Sequence, residues 1–468
     1  MNKLALVAAA LLVLSVLALP RVVGSITEAR VRERVAAIDA SPSAAAELTS
    51  FDRGWFRSSA RIELGLVPDD FAALGGNAGA PLGAFGTLPI VVDFAHGPIA
   101  VLDGVHLGWS KMVARADAEA PDIADLEQTL GVPYLFEFRG HTSYSGKLRF
   151  DADAPPFELP VDAALLSFSG AMLAGTFAAN RLTADAEVGS VAVASPTGTF
   201  AMRELRVSAD NVLRSRYVMP GESALSIASV SIGGPLQGTL PVFEAANLSI
   251  RSNVDVDAAA ELLEMRVNYN VDAIRAQDTE VTAGALELRL HNVDVAAVEA
   301  YSAAATDAAA AGADPRTIVA SVGPILERAL KAGPSLALDP LRFRYDGEPF
   351  DGRLEITTNT ARLPAAGTLS LENPLALLSL VNTQAEVRLS KALAVTLATL
   401  AARRQLGADR SVPPDQLEYM AEAQSGLMLT QLVGLGVLVE DGDDYRSVLD
   451  YTDGAVTLNG NPLPFGLP

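Results

Sequence analysis

The sequence predicts an α+β fold that is predominantly antiparallel β, a large twisted or curled sheet of meanders, with several helices in the C-terminal half and one N-terminal transmembrane helix. Three observations carry this. An apolar run opens the chain, a two-residue hydrophobic period takes over from about residue 51, and helical punctuation gathers between residues 294 and 434.

The opening run, Leu4 to Leu19, contains one polar residue, Ser15, and follows a positive start at Lys3. Apolar character resumes at Val22 and Val23, which lengthens the segment to roughly the 20 residues that a bilayer requires. A cut after Ala18 would leave Val16 where signal cleavage wants a small side chain, so residues 1–24 are expected to stay as a signal anchor. Residues 25–50 read as a juxtamembrane helix and linker. Val31, Val35 and Ile38 share helical spacing, Ser25 and Glu28 match a capping box, and Pro42 ends the pattern.

The two-residue period is cleanest at Met265, Val267, Tyr269, Val271 and Ala273, which alternate with Arg266, Asn268, Asn270 and Asp272. One face of such a strand is dry and the other wet, and a series of them indicates an antiparallel sheet. Further alternating stretches lie at Tyr134 to Phe138, Leu148 to Phe150, Leu248 to Val256, Leu286 to Leu290 and Leu341 to Tyr345, separated by Gly/Pro-rich turns. Residues 51–240 are expected to form a β-rich lobe and 241–468 an α+β lobe, possible as one continuous body.

Four helices are punctuated in the second half. Asp294 caps the first, Asp314 and Pro315 open the second with Pro324 inside it, and the others run from about Ala392 to Leu406 and from Pro413 to about Gly434. A three-stranded meander closes the chain, turning at Asp441-Gly442 and Asp453-Gly454.

Composition excludes several function classes. With 35 Lys and Arg against 56 Asp and Glu the formal net charge is −21, which repels nucleic acid. The chain has no cysteine, so disulfides, thiolate metal sites and a thiol nucleophile are excluded. His96, His106, His141 and His291 have no metal-ligand spacing, and the pairs Asp151/Asp153 and Asp255/Asp257 lack the rest of a calcium loop. The glycine-rich stretch at 73–83 lacks the Gly-Lys-Ser/Thr ending of a phosphate cradle. No catalytic, cofactor-binding or metal residues are therefore nominated, and no enzymatic activity is expected.

Two segments carry a family likeness. Phe51-Asp-Arg-Gly-Trp-Phe-Arg-Ser-Ser-Ala60, and Leu458-Asn-Gly-Asn-Pro-Leu-Pro464 near the end, resemble motifs of the YdgA-like bacterial inner-membrane proteins of unknown function. Arg53, Gly54, Trp55, Phe56, Ser58, Asn459, Gly460 and Pro462 are the motif residues, with no role assigned. The resemblance implies a single-pass inner-membrane protein, N-terminus cytoplasmic and body periplasmic. Expected partners are the inner membrane, through residues 4–24, and a lipid or an envelope protein, with no nucleic acid and no cofactor.

Two functions follow as expectations. One is a non-enzymatic envelope protein whose curved sheet offers an apolar face to a lipid; the other is a scaffold in an envelope complex with no ligand groove. Local grounds favour complete cover of the apolar face by the helices, because amphipathic helices need a partner surface. Trp55 is expected to pack in the core near the anchor rather than to sit at an interface.

Overall fold

A computed structural model describes residues 24–463, except 34, 37, 40–43, 67–86, 98, 103, 216, 235–240, 278, 311–314, 365–378 and 408–413. The expected anchor and the glycine-rich stretch at 73–83 lie outside the described residues. Among the described residues, no helix is long and apolar enough to cross a membrane. Most of the described chain is antiparallel sheet with interspersed helices, and it divides into two compact units.

The first unit takes the described residues up to Pro196, with Arg203–Leu213 and the end of one later helix. Helix α1, described at residues 24–33, 35–36 and 38–39, is followed along the chain by β1 (Ala44–Arg53), β2 (Arg57–Leu66), β3 (Leu88–His96), the small hairpin β4 (Ile99–Val101) and β5 (Val105–Leu107), and β6 (Ser110–Ala116). After α2 (Pro121–Leu130) come β7 (Glu137–Thr142), β8 (Leu148–Ala154), β9 (Phe157–Val161), β10 (Ala164–Phe168), β11 (Ala171–Ala178), β12 (Arg181–Ser195) and β13 (Gly198–Val212), the last belonging to this unit only from Arg203 onward. The strands pair in the order β1-β2-β3-β6-β7-β8-β11-β12-β10-β9, all antiparallel.

Residues opposed across antiparallel strands point to the same face, so register decides what each face is made of. One row of partners runs Ala60, Val92, Ala114, Phe138, Ala152, Leu173. The next runs Ser58, Phe94, Met112, Gly140, Phe150, Gly175, where a Cβ on Gly175 would meet the Phe150 ring at 2.4 Å. Both glycines make room for a larger neighbour. Helix α1 covers one end of this apolar face, with Val31 against the buried cluster of Ala60, Val92 and Phe94. The opposite face is charged, with Arg115 and Arg139 both on the buried Glu137 and Arg139 also on Asp151 at 3.2 Å.

The second unit holds β14 (Gly221–Gly233), β15 (Pro241–Asp257), β16 (Leu262–Ala276), β17 (Thr279–Asp294), α3 (Val295–Ala310), α4 (Pro315–Lys331), β18 (Ser335–Tyr345), β19 (Glu348–Thr358), β20 (Val381–Ser390), α5 (Lys391–Gly407) and α6 (Pro414–Gly434), then β21 (Val439–Asp441), β22 (Asp444–Thr452), β23 (Ala455–Leu458) and β24 (Asn461–Pro462). Strands β14 to β20 pair in sequence, β22 follows β20, and β21 and β23 both pair with β22. Tight turns have the chemistry that two positive-φ residues demand. Asp346-Gly347, Asp453-Gly454 and Asn459-Gly460 have φ of 48° and 86°, 53° and 80°, and 52° and 79°.

Several local expectations are met and several are corrected. The Asp294 carboxylate accepts from Ala297 N–H at 2.7 Å, which caps α3, and Pro324 lies inside α4. Residue 24 is already helical, so Ser25 lies within α1, and Glu28 is drawn instead to Arg32 and Arg53. Strand β1 starts at Ala44, ahead of Phe51, because pairing with β2 extends it through an alanine run that has no period of its own. Helix α2 was not anticipated, although Pro121 at its start and Gly131 at its end, φ 66°, are the standard punctuation.

Helices α5 and α6 pack on each other, and α5 seats Leu393 against the sheet with Leu389, Ala394, Ala398 and Leu429. Leu393 is fully buried. Leu393→Ala should cost about 2–5 kcal/mol, read as a lower urea midpoint with unchanged slope. A change within error would mean that this contact does not hold α5 on the sheet.

Candidate functional site

The register of β14 to β23 sorts the second unit into two faces of opposite chemistry. One row of direct partners is Leu225, Ile250, Tyr269, Leu286, Leu341 and Gly352. The next is Val267, Leu288, Leu338, Leu354, Ala385, Leu449 and Leu458, and the third is Val254, Met265, Leu290, Leu336, Ile356, Thr383 and Tyr451. Followed across all the strands these rows also take in Ser223, Ser252 and Ser447, so that with Thr383, Tyr451 and Tyr269 six side chains carry a polar atom and the rest are apolar. The reverse face is held by ion pairs such as Arg342–Asp351 at 2.6 Å and Glu386, which bridges Arg353 and Arg446 at 2.5 Å each. Arg446 and then Arg353 hold the Glu386 carboxyl below its ordinary range.

Helical cover of the apolar face is incomplete, contrary to the expectation from amphipathic pairing. Helices α5 and α6 cover its Phe350, Val387, Leu389 and Tyr445 end. In the three rows only Val267 and Tyr451 are buried, and exposure reaches 37% at Ile250 and 39% at Tyr269. What remains is an apolar surface several strands wide that touches solvent.

The motif residues form two separate groups, one in each unit. Arg53 ends β1, Gly54, Trp55 and Phe56 make the β1–β2 turn and Ser58 lies in β2; a Cβ on Gly54 would meet the Arg57 carbonyl oxygen at 2.3 Å. Trp55 and Phe56 are 45% and 48% exposed in the turn between the strands, so Trp55 is not a core residue. Ser58 and His96 are buried and joined at 2.9 Å through His96 Nε2, while His96 Nδ1 has no hydrogen-bond partner among the described residues. Among the described residues nothing orients the His96 ring from its Nδ1 side, and Ser58 is only 4% exposed.

Asn459 is a tie. Its side-chain N–H group donates to the carbonyls of Gly436 and Val437 at 2.7 and 3.1 Å, and its Oδ1 accepts from Val448 N–H at 2.7 Å. It thereby fixes the chain leaving α6 to β22. Gly460 completes the turn, and Pro462 in β24 pairs with Thr457.

An open polar cleft of about 620 Å³ lies on the charged face of the first unit, lined by residues that include Asp52, Asp93, Arg61, Arg115, Asp117 and Glu119. Arg61 engages both Asp117 and Glu119. Among the described residues, no group of three or more His, Asp or Glu side chains is arranged to hold a metal ion.

Over residues 1–465 the chain matches the family described as Bacterial protein of unknown function (DUF945). The chain belongs to this bacterial family. No curated protein and no solved structure matches it. Family membership thus covers both motif groups and both apolar faces, and assigns none of them a role.

The apolar rows escaped sequence reasoning for a definite reason. Alternation reveals that each strand has a dry side, but only register shows that the dry sides align and only packing shows which part is covered. Two measurements probe the site. Burial holds the His96 pKa below its ordinary value near 6.5. The unfolded chain takes up a proton through that value while the folded chain does not, so this contribution is complete above it and is lost as pH falls toward the depressed pKa. Urea midpoints should therefore decline from about pH 7 to pH 5, and His96→Gln should flatten the decline; an unaltered slope in the variant refutes the assignment. Asn459→Ala, which strands the Val448 N–H and two carbonyls, should cost about 2 kcal/mol by the same assay.

Proposed function

We propose that the protein is a non-enzymatic component of the bacterial envelope that holds a lipid, or a comparably long apolar ligand, on the open apolar face of its second unit. The observation that carries this is the set of aligned rows from Leu225 to Leu458 that the helices leave partly exposed. Each methylene that leaves water against such a surface contributes about 0.8 kcal/mol, so an acyl chain gains from lying along several strands. A soluble protein rarely leaves so broad an apolar surface without an occupant.

Residues 4–24 tether the chain in the inner membrane as a retained anchor, with the N-terminus cytoplasmic and the body periplasmic. The apolar run from Leu4 to Leu19 and the resemblance to the YdgA-like inner-membrane proteins support this placement. A tethered body has its ligand source within reach.

Native mass spectrometry of the full chain, purified in mild detergent from its bacterial membrane, should find bound lipid. Tyr269→Asp places a charge in the exposed first row and should lower lipid occupancy on the order of tenfold, whereas Asn270→Asp on the reverse face should leave it unchanged. Lipid-free wild type, or equal loss in both variants, would refute the ligand face.

A further inference from the structure

One end of the first unit gathers an unusual set of exposed apolar side chains. Trp55 and Phe56 stand in the β1–β2 turn, Val101, Val105 and Leu107 in the β4–β5 hairpin, and Trp109 and Tyr144 at the starts and ends of β6 and β7. Val105 and Leu107 are 69% and 65% exposed. These are one surface, because Arg57 Nη2 donates to the Val101 carbonyl at 2.7 Å, His96 N–H to Phe56 O at 2.7 Å, and Gly97 N–H to Trp109 O at 3.1 Å. The Trp109 ring meets Tyr144 edge-on at 5.8 Å and gives its indole N–H to the Tyr144 carbonyl at 3.0 Å.

The first described residue of helix α1 lies at this same end. Gly24 lies against the His96 ring and the Arg53 side chain, and Arg53 reaches Glu28 at 3.4 Å. The 23 residues ahead of Gly24, which carry the apolar run from Leu4 to Leu19, therefore join the body beside the rim. In a chain with a net charge of −21 the β1–β2 turn is flanked by two guanidinium groups, Arg53 and Arg57.

We propose that this rim rests in the headgroup layer of the bilayer, so that the first unit is docked on the membrane and not merely suspended from it. Tryptophan and tyrosine favour that layer because an apolar ring and a polar edge meet both of its environments. Arginines flanking the turn suit lipid phosphates, and insertion of the β4–β5 hairpin removes Val105 and Leu107 from water. The docking rests on the anchoring proposed above, and the following experiment separates the two.

Trp55 and Trp109 are the two tryptophans of the chain, and both belong to the rim, so tryptophan emission, excited at the red edge where the tyrosines do not absorb, reports on it alone. The full chain is reconstituted into vesicles of phosphatidylethanolamine and anionic phosphatidylglycerol, with acyl chains brominated near the carbonyl end or unbrominated. Bromine should quench the emission roughly twofold, as expected for rings at the level of the headgroups. Val105→Asp with Leu107→Asp should remove most of that quenching. Flotation of the same vesicles reads the anchor independently. Floating protein with unquenched emission overturns the docking and leaves the anchor standing, while protein that does not float overturns both.

Discussion

The register of antiparallel partners is the constraint on which everything else in this protein depends. A row such as Val267, Leu288, Leu338, Leu354, Ala385, Leu449 and Leu458 is apolar only because each strand meets its neighbour at one particular offset. Alternation within a strand creates two kinds of side, and register adds those sides into a surface. The charged reverse, with Glu386 between Arg353 and Arg446, enforces the same offset from the other side by opposing unlike charges.

Both units use that surface in the same way. A helix covers part of it, α1 over Ala60, Val92 and Phe94 in the first and α5 over Leu389 and its neighbours in the second. The two buried apolar clusters lie under those helices, and most residues of the aligned rows of the second unit stay partly open. The cover supplies stability locally, and the remaining area is free for binding, which is the division that the proposed function exploits.

Much of this architecture was legible in the sequence, at the level where local chemistry decides. Met265 to Ala273 announced a strand with one dry side, Asp294 its helix cap, and Asp453-Gly454 its turn. Legibility ended where the answer depends on distant residues. Tyr269 alternates like a core residue yet is 39% exposed, since the helices that cover its row do so at the distant Val387 end, and Trp55 resembles core because size and apolarity do not reveal that it falls in a tight turn. Helix α2 was missed for another reason: ten residues around three spaced apolar positions give a weak period, and its end signals were the stronger clue.

Strand β17 turns left-handed at Ala283 and Asn292, φ 51° and 56°, and its pairing shifts beside them. Each such bulge absorbs one extra residue so that the side chains beyond it regain their proper face. Loss of a single residue from this strand with both bulges kept would therefore turn Leu286, Leu288 and Leu290 outward among the arginines and bring Glu287 and Arg289 into their place. Descent with change in chain length is confined accordingly: within these strands residues can be gained or lost in pairs, or one at a time only where a bulge appears or vanishes with them.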